Sequence, residues 1–296
     1  MELRQLRYFG AVAGALHFTR AAEDLHVAQS AVSHQIVKLE NELGVELLSR
    51  SPRRVELTAA GELVRARARR ILGEAEAIES EIAELQGLVR GRVALGGMVP
   101  LGPLDLAELL GSFHRRHPGV EIKLVEATTR ELHTLVHRDE LDLAVSLEIP
   151  DELYDDIDGE RLFREELVAV LPTDHPLAGA RGPLRTAALA QHEFIGFYPG
   201  SATREAIDAR LAAAGVSPRL AFESSAVDVV RRLASHGLGV AILPRSTIED
   251  GGPPIVTRSL QPRLLCGIRL VWRRGRSRSP AANALLEHVR AAAAQA

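Results

Sequence analysis

A single cysteine, Cys266, stands in a chain of 296 residues, which excludes an internal disulfide and a cysteine-cluster metal site. That count fits a reducing compartment, and the expected location is cytoplasmic. No apolar run approaches the roughly 18 residues needed to span a bilayer, and the polar start Met1-Glu2-Leu3-Arg4-Gln5 lacks the apolar core of a secretion signal. Membrane partners are therefore not expected. Lysine is nearly absent: Lys38 and Lys123 are the only two, so the basic charge is almost entirely arginine. There is no global basic excess either. Thirty-six basic against 39 acidic side chains leave a net charge of −3, so any nucleic-acid surface must be local. Also missing are a Gly-x-Ser-x-Gly elbow, a phosphate loop and a Gly-x-Gly-x-x-Gly fingerprint. No catalytic constellation or cofactor is expected, and an enzyme is disfavoured.

What is present is a globular composition, 46% hydrophobic and 25% charged, long enough for about two domains. Leu6, Phe9 and Ala13 share one helix face. Thr19 is the expected N-cap of a second helix over 20–25. A third carries Val32, Ile36, Leu39 and Leu43 on its apolar face and stops near Gly44. The stretch 57–89 then predicts one long helix. Leu57, Val64, Ile71, Ile78 and Leu85 recur every seven residues, each followed four later by Gly61, Ala68, Ala75, Ile82 and Val89. A helix lying on its own domain shows a similar stripe, but this one is narrow and flanked by charge, which favours a coiled-coil dimer seam. After Gly91, short apolar strands alternate with helices, which predicts a largely parallel α/β sheet in two similar halves with a cleft between them.

The third helix presents Gln29, Ser30, Ser33, His34 and Val37 opposite its apolar stripe. Alone, such a face is the ordinary solvated side of an amphipathic helix. The following Arg50-Ser51-Pro52-Arg53-Arg54-Val55-Glu56-Leu57 changes the reading, because three arginines around a proline turn suit a β-hairpin wing that meets phosphates or a minor groove. The first 70 residues carry eleven basic and eight acidic side chains, a local reversal of the chain's sign. Two short helices joined by a tight turn, followed by a wing, form a helix-turn-helix arrangement suited to base edges and phosphates.

Four segments in order, Phe9-Gly10-Ala11-Val12-Ala13, Phe18-Thr19-Arg20-Ala21-Ala22-Glu23-Asp24-Leu25-His26-Val27-Ala28-Gln29-Ser30-Ala31-Val32-Ser33, Leu39-Glu40-Asn41-Glu42-Leu43-Gly44-Val45 and Leu57-Thr58-Ala59-Ala60-Gly61, closely resemble the N-terminal signature of LysR-type transcriptional regulators. Gly237-Leu238-Gly239-Val240-Ala241-Ile242-Leu243-Pro244 is similar to a stretch of that family's effector domain, and the resemblance covers essentially the whole chain. It implies an α+β multidomain fold: a winged helix-turn-helix (1–58), a long linker and dimerisation helix (59–90), and a two-subdomain, periplasmic-binding-protein-like effector domain (91–296; subdomain I 91–162 and 266–296, subdomain II 163–265). It also implies double-stranded promoter DNA, a small-molecule effector, RNA polymerase and a second copy of the chain as partners, in a dimer or a dimer of dimers on inverted repeats with a T-N11-A core. DNA contacts would fall to Thr19, Arg20, Gln29, Ser30, Ser33, His34, Lys38, Arg50, Arg53 and Arg54. His34 stands where the family commonly has arginine, Ser30 where proline is frequent, and Leu48-Ser49-Arg50 replaces the usual leucine-phenylalanine.

The resemblance places the effector cleft at Met98, Val99, Pro100, Leu101, Thr128, Ser146, Phe197, Tyr198, Ser201, Thr203 and Arg204. Many relatives carry Ser or Thr where this chain has Met98-Val99-Pro100, so one wall is less polar than usual. Ser201, Thr203 and Arg204 would hold an anion, and Phe197 and Tyr198 would stack on a ring. The expected effector is an aromatic or apolar small molecule, with or without a carboxylate. His114, His117, His133 and His137 have helical metal-ligand spacing but no evident third ligand, and are expected to be solvated surface residues. Cys266 is expected in a core strand, and the basic run 273–278 in a solvated loop. The rival reading is a small-solute-binding protein without a regulatory role.

Overall fold

The computed structural model describes residues 1–51, 54–85, 88–97, 104–149, 154–248 and 252–295, with backbone alone at 50, 51, 79, 80, 83 and 84. The chain divides into two units, Met1–Gly91 and Arg92–Ala296.

The first unit begins with three helices, α1 (Leu3–Ala15), α2 (Phe18–Asp24) and α3 (Gln29–Leu43). Leu6, Phe9, Val12 and Ala13 of α1, Ala21 and Ala22 of α2, and Val32, Ile36 and Leu39 of α3 form its core. α3 ends as its sequence requires, at Gly44 in a left-handed conformation (φ 70°). The N-cap of α2 is not Thr19. His17 holds that position, and its Nδ1 accepts the Arg20 N–H at 3.3 Å. Leu16, at φ 49°, turns the chain there, so the helix starts at Phe18 and Thr19 is already inside it.

An antiparallel hairpin follows, β1 (Leu48–Ser51) and β2 (Arg54–Leu57), with Leu48 opposite Leu57. Leu57 is thus a strand residue, not the first heptad position. Thr58 caps the next helix, its Oγ1 accepting the Gly61 N–H at 2.9 Å. A β-carbon at Gly61 would lie 2.0 Å from the Leu47 carbonyl oxygen, so only glycine fits under the hairpin. Helix α4 (Ala59–Leu85) is shorter than 57–89 at both described ends, and Val89 lies outside it. Its seam divides in two. Val64 and Ala68, with the neighbouring Leu72, pack on the unit's own core, whereas Ile71, Ile78, Ile82 and Leu85 are exposed.

The second unit contains, in order, β3 (Gly91–Gly97), α5 (Leu106–Arg116), β4 (Val120–Glu126), α6 (Thr129–His137), β5 (Leu143–Leu147), β6 (Ile157–Leu171), β7 (Leu184–Arg185), β8 (Glu193–Phe197), α7 (Ala202–Ala213), β9 (Arg219–Ser224), α8 (Val227–Ser235), β10 (Val240–Pro244), β11 (Val256–Arg258), β12 (Leu260–Gln261), β13 (Leu264–Arg273) and α9 (Pro280–Ala293). Eight strands run in the order β4-β3-β5-β13-β6-β10-β8-β9, with β11 also on β6. The sheet is mixed rather than largely parallel. β3 with β5, and β10 with β8 and β9, are parallel, but β6 and β13 run antiparallel to each other and to their outer neighbours. This long pair carries both halves. The C-terminal part of β13 pairs with β5, while the C-terminal part of β6 pairs with β10.

The run 273–278 leaves β13 after Arg273 as a loop in which Arg274, Gly275 and Ser277 are exposed, but the loop is anchored. Arg273 and Arg276 both pair with Asp139, whose side chain is almost fully buried, at 2.7 and 3.4 Å, and Arg278 lies over the Trp272 ring. Cys266 is buried in β13, as a core strand residue. No described helix is long and apolar enough to cross a membrane.

Candidate functional site

The exposed polar face of α3 follows from its amphipathic pattern. With Val32, Ile36 and Leu39 fixed in the core, Gln29, Ser30, His34 and Lys38 are exposed and Ser33 is half-buried. Ala28 occupies the N-cap without a side-chain hydrogen bond, so the opening N–H groups of α3 have no capping acceptor of their own. Lys38 reaches Glu2 at 3.4 Å. Thr19 and Arg20 are exposed and share a surface hollow with His17 and Glu23. On the hairpin, Arg54 is exposed and its Nη1 lies 3.5 Å from Glu56. Arg50 sits opposite Val55 in the register; its side chain, and all of Arg53, lie outside the described residues.

In the α/β unit the expected effector residues meet different fates. Met98, Val99, Pro100 and Leu101 lie outside the described residues. Thr128 caps α6. Its N–H and Oγ1 donate to Glu131 Oε2 at 2.9 and 2.8 Å, and the Glu131 N–H donates back. The backbone N–H and then the hydroxyl of Thr128 hold the Glu131 carboxyl below the usual carboxylate range. Ser146 is fully buried at the end of β5, its Oγ sharing a 3.0 Å hydrogen bond with His133 Nε2, while the Leu147 N–H donates to Thr129 Oγ1 at 3.3 Å.

His133 is therefore a buried partner of Ser146, not a surface residue. Thr129, Leu132, His133 and Val136 make up the buried face of α6 at i, i+3, i+4 and i+7, a period that was readable in the sequence. His137 is likewise engaged, stacked 4.0 Å over Tyr154 and bonded to Asp156 at 2.8 Å. His117 ends α5 against the Phe113 ring. Among the described residues no group of three or more His, Cys, Asp or Glu side chains is placed to hold a metal ion.

Across the sheet, Ser201 stands at the N-cap of α7 and Thr203 is buried in its first turn. Arg204 does not offer a charge to an anion: it pairs with Asp208, with Glu223 at 3.0 Å, and donates to the Phe197 carbonyl at 2.8 Å. Phe197 cannot present a ring for stacking because it is buried, whereas Tyr198 is exposed. The two helix starts meet through a pair the sequence did not announce, Arg130 Nη2 to Glu205 Oε2 at 2.8 Å. This ion pair brings the first turn of α6, with Thr128 and Thr129, up to the first turn of α7, with Ser201 and Thr203.

Known proteins share this architecture. Residues 3–62 match the bacterial regulatory helix-turn-helix family of LysR type, and residues 86–294 match the LysR substrate-binding domain. The chain is 33% identical over 303 residues to a RuBisCO operon transcriptional regulator of Allochromatium vinosum, covering all of this chain and 97% of that protein. A full-length OxyR variant from Pseudomonas aeruginosa is similar with a TM-score of 0.80 at 27% identity, over 99% of this chain and 94% of that one. Full-length CbnR in complex with its target DNA is similar with a TM-score of 0.65 at 27% identity, over 99% of this chain and all of that one. The chain belongs to the LysR family of bacterial DNA-binding transcriptional regulators, with an N-terminal helix-turn-helix and a substrate-binding α/β domain, and is a regulator rather than an enzyme.

Proposed function

We propose that a small molecule bound between the two halves of the α/β unit controls how this regulator binds promoter DNA or activates transcription. The observation that carries this reading is the Arg130–Glu205 pair, because it joins two helix starts that belong to opposite halves of the sheet. Ser146, Thr203, Ser201 and the Thr128 cap line that junction in this reading, with Met98, Val99, Pro100 and Leu101 assigned to it by sequence. The effector is an aromatic or apolar molecule, with Tyr198 as the exposed ring beside it. If it carries a carboxylate, the cation at hand is Arg130, which it must take from Glu205, since Arg204 is committed to Asp208 and Glu223. Effector binding then changes a contact between the halves, a differential interaction of the kind that shifts a conformational equilibrium.

In this reading residues 1–58 grip promoter DNA and 59–90 pair two copies through Ile71, Ile78, Ile82 and Leu85. The segment 91–162 with 266–296, and the segment 163–265, form the two lobes. Dimers, alone or joined in pairs, set the spacing of the wings and so the DNA bend and the contact with polymerase. A solute-binding protein has no use for a helix-turn-helix, which disfavours that alternative. The test is a DNase footprint at fixed salt upstream of the protein's own gene and its divergent neighbour, with candidate effectors added. Protection over a T-N11-A inverted repeat that shortens or shifts with a small molecule is the expected result. A footprint that no aromatic or apolar compound alters would overturn the effector reading.

A further inference from the structure

A hollow of about 300 Å³ lies between α1 and the reading face of α3, lined by Arg4 and Tyr8 from α1 and by Ser30, Ala31, His34 and Gln35 from α3. Ser30 and His34 belong to the DNA-reading face; Arg4 and Tyr8 have no role in the reading so far. Arg4 is exposed, and its acidic neighbour Glu2 lies 3.6 Å away and is shared with Lys38. An exposed pair at that distance holds a guanidinium weakly, so a stronger anion displaces it. On the other wall, Gln35 Oε1 is buried with no hydrogen-bond partner among the described residues. Buried polar atoms are nearly always satisfied by protein or ordered water. Gln35 Oε1 sits behind the wall, whose exposed polar groups are Ser30 and His34.

We propose that Arg4 and Tyr8 hold a backbone phosphate of the DNA strand that flanks the bases met by Ser30 and His34. α1 would then be a second wall of the interface, fixing the register in which α3 is presented. The chemistry fits a phosphate: a guanidinium supplies parallel charge-assisted N–H donors and a phenol supplies one O–H. The hollow is large enough for a phosphate, and its wall residues come from two helices locked by one core through Leu6, Phe9, Val32 and Ile36. This inference rests on the DNA-reading assignment of α3.

The test uses the full-length protein with Arg4→Ala, Arg4→Lys and Tyr8→Phe, measured by fluorescence anisotropy across a KCl series. Two duplexes serve as probes, one selected by the wild type from a random pool and one of scrambled sequence. Arg4→Ala is expected to lower the slope of log affinity against log salt by about 0.9 for each subunit engaged and to weaken both duplexes by the same factor, leaving their ratio unchanged. Arg4→Lys is expected to keep the slope. Tyr8→Phe is expected to weaken both duplexes at unchanged slope, because it removes a neutral donor. A wild-type slope in Arg4→Ala, with the thermal melt confirming the fold, would overturn the inference while the DNA reading of α3 stands. A changed ratio between duplexes at constant slope would also overturn it, in favour of a base contact. Failure of the wild type to bind either duplex would overturn the reading of α3 itself, and this inference with it.

Discussion

Thiol oxidation is one way for a regulator to sense its surroundings, and Cys266 is the only thiol in this chain that could serve. The structure argues against it quantitatively. The side chain is buried in β13, its Sγ lies 3.6 Å from the Glu165 carbonyl, and desolvation, with a smaller contribution from the Glu165 charge, pushes its pKa up to about 12. At pH 7.5 such a thiol is ionised in about 3 parts in 100,000, against roughly one part in ten for an ordinary cysteine near 8.5. The nucleophilic form is therefore about 3,000-fold scarcer than in an unfolded chain. The folded protein should react with iodoacetamide or a disulfide reagent at least about a hundred-fold more slowly than the same protein in denaturant, since a more basic thiolate is a better nucleophile and offsets part of its scarcity. Cys266→Ser should leave the DNA footprint unchanged with and without peroxide. The linkage has a definite sign. The folded-state pKa lies above the unfolded one, so this group's contribution is intact below about pH 8.5 and declines as pH rises towards 12, by up to about 1.4 kcal/mol per pH unit. Stoichiometric labelling of the native protein at the rate of the denatured one, or a footprint that shifts with peroxide in the wild type and not in Cys266→Ser, would refute this reasoning.

Three further outcomes are expected. Arg54→Ala should reduce the salt slope of DNA binding by about 0.9 per subunit at little cost in stability, since its side chain is 80% exposed; an unchanged slope in the same anisotropy series would remove Arg54 from the interface. Ile78→Glu with Ile82→Glu should convert the oligomer to monomer in sedimentation and leave the melting temperature within a few degrees, because both side chains are exposed on α4; a retained dimer would place the interface elsewhere. In a double-mutant cycle, Arg130→Ala and Glu205→Ala should show a coupling of about 0.3–1 kcal/mol in thermal unfolding, the range for a pair whose members are each about two-fifths exposed, and coupling indistinguishable from zero would deny it any part in holding the halves.

The parts of this fold that were legible in sequence are those where one periodic face decides the structure. Leu6, Phe9 and Ala13, and Val32, Ile36 and Leu39, could bury only one way, and burying them turned Gln29, Ser30 and His34 outward. The heptad count misled at α4 because a seven-residue spacing does not distinguish who the partner is. Leu57 meets it from a strand, Val64 and Ala68 from a domain contact, and only the later positions from an exposed stripe. The first half of β6 hides from a reading of the sequence, because it is studded with charge. Those charges are satisfied across the fold, Glu160 by Arg290 at 2.6 Å and Arg161 by Glu148. A local window sees a polar segment where the tertiary structure sees a paired strand. His17 was passed over as a cap because hydroxyl and carboxamide residues are the usual choice, although a ring nitrogen accepts the same bond.

The same pairing explains how a chain of net charge −3 presents a surface for a polyanion. Arginine supplies nearly all of its basic charge, and within the α/β unit many of those arginines face carboxylates at close range: Arg204 with Asp208 and Glu223, Arg245 with Glu166 at 2.8 Å, Arg273 with Asp139, and Arg290 with Glu160. Such pairs cancel locally and project little field beyond a Debye length of about 8–10 Å. In the first unit the cations beside the polar face of α3 are held more loosely, Arg4 at 3.6 Å from Glu2 and Lys38 at 3.4 Å from the same carboxylate, all on exposed side chains. A phosphate displaces these weak partners far more readily than it could break a buried clasp. The net charge of the whole chain is therefore a poor guide to its partner. Loosely held cations such as Arg4 and Lys38, beside the polar residues that α3 exposes, are the better one.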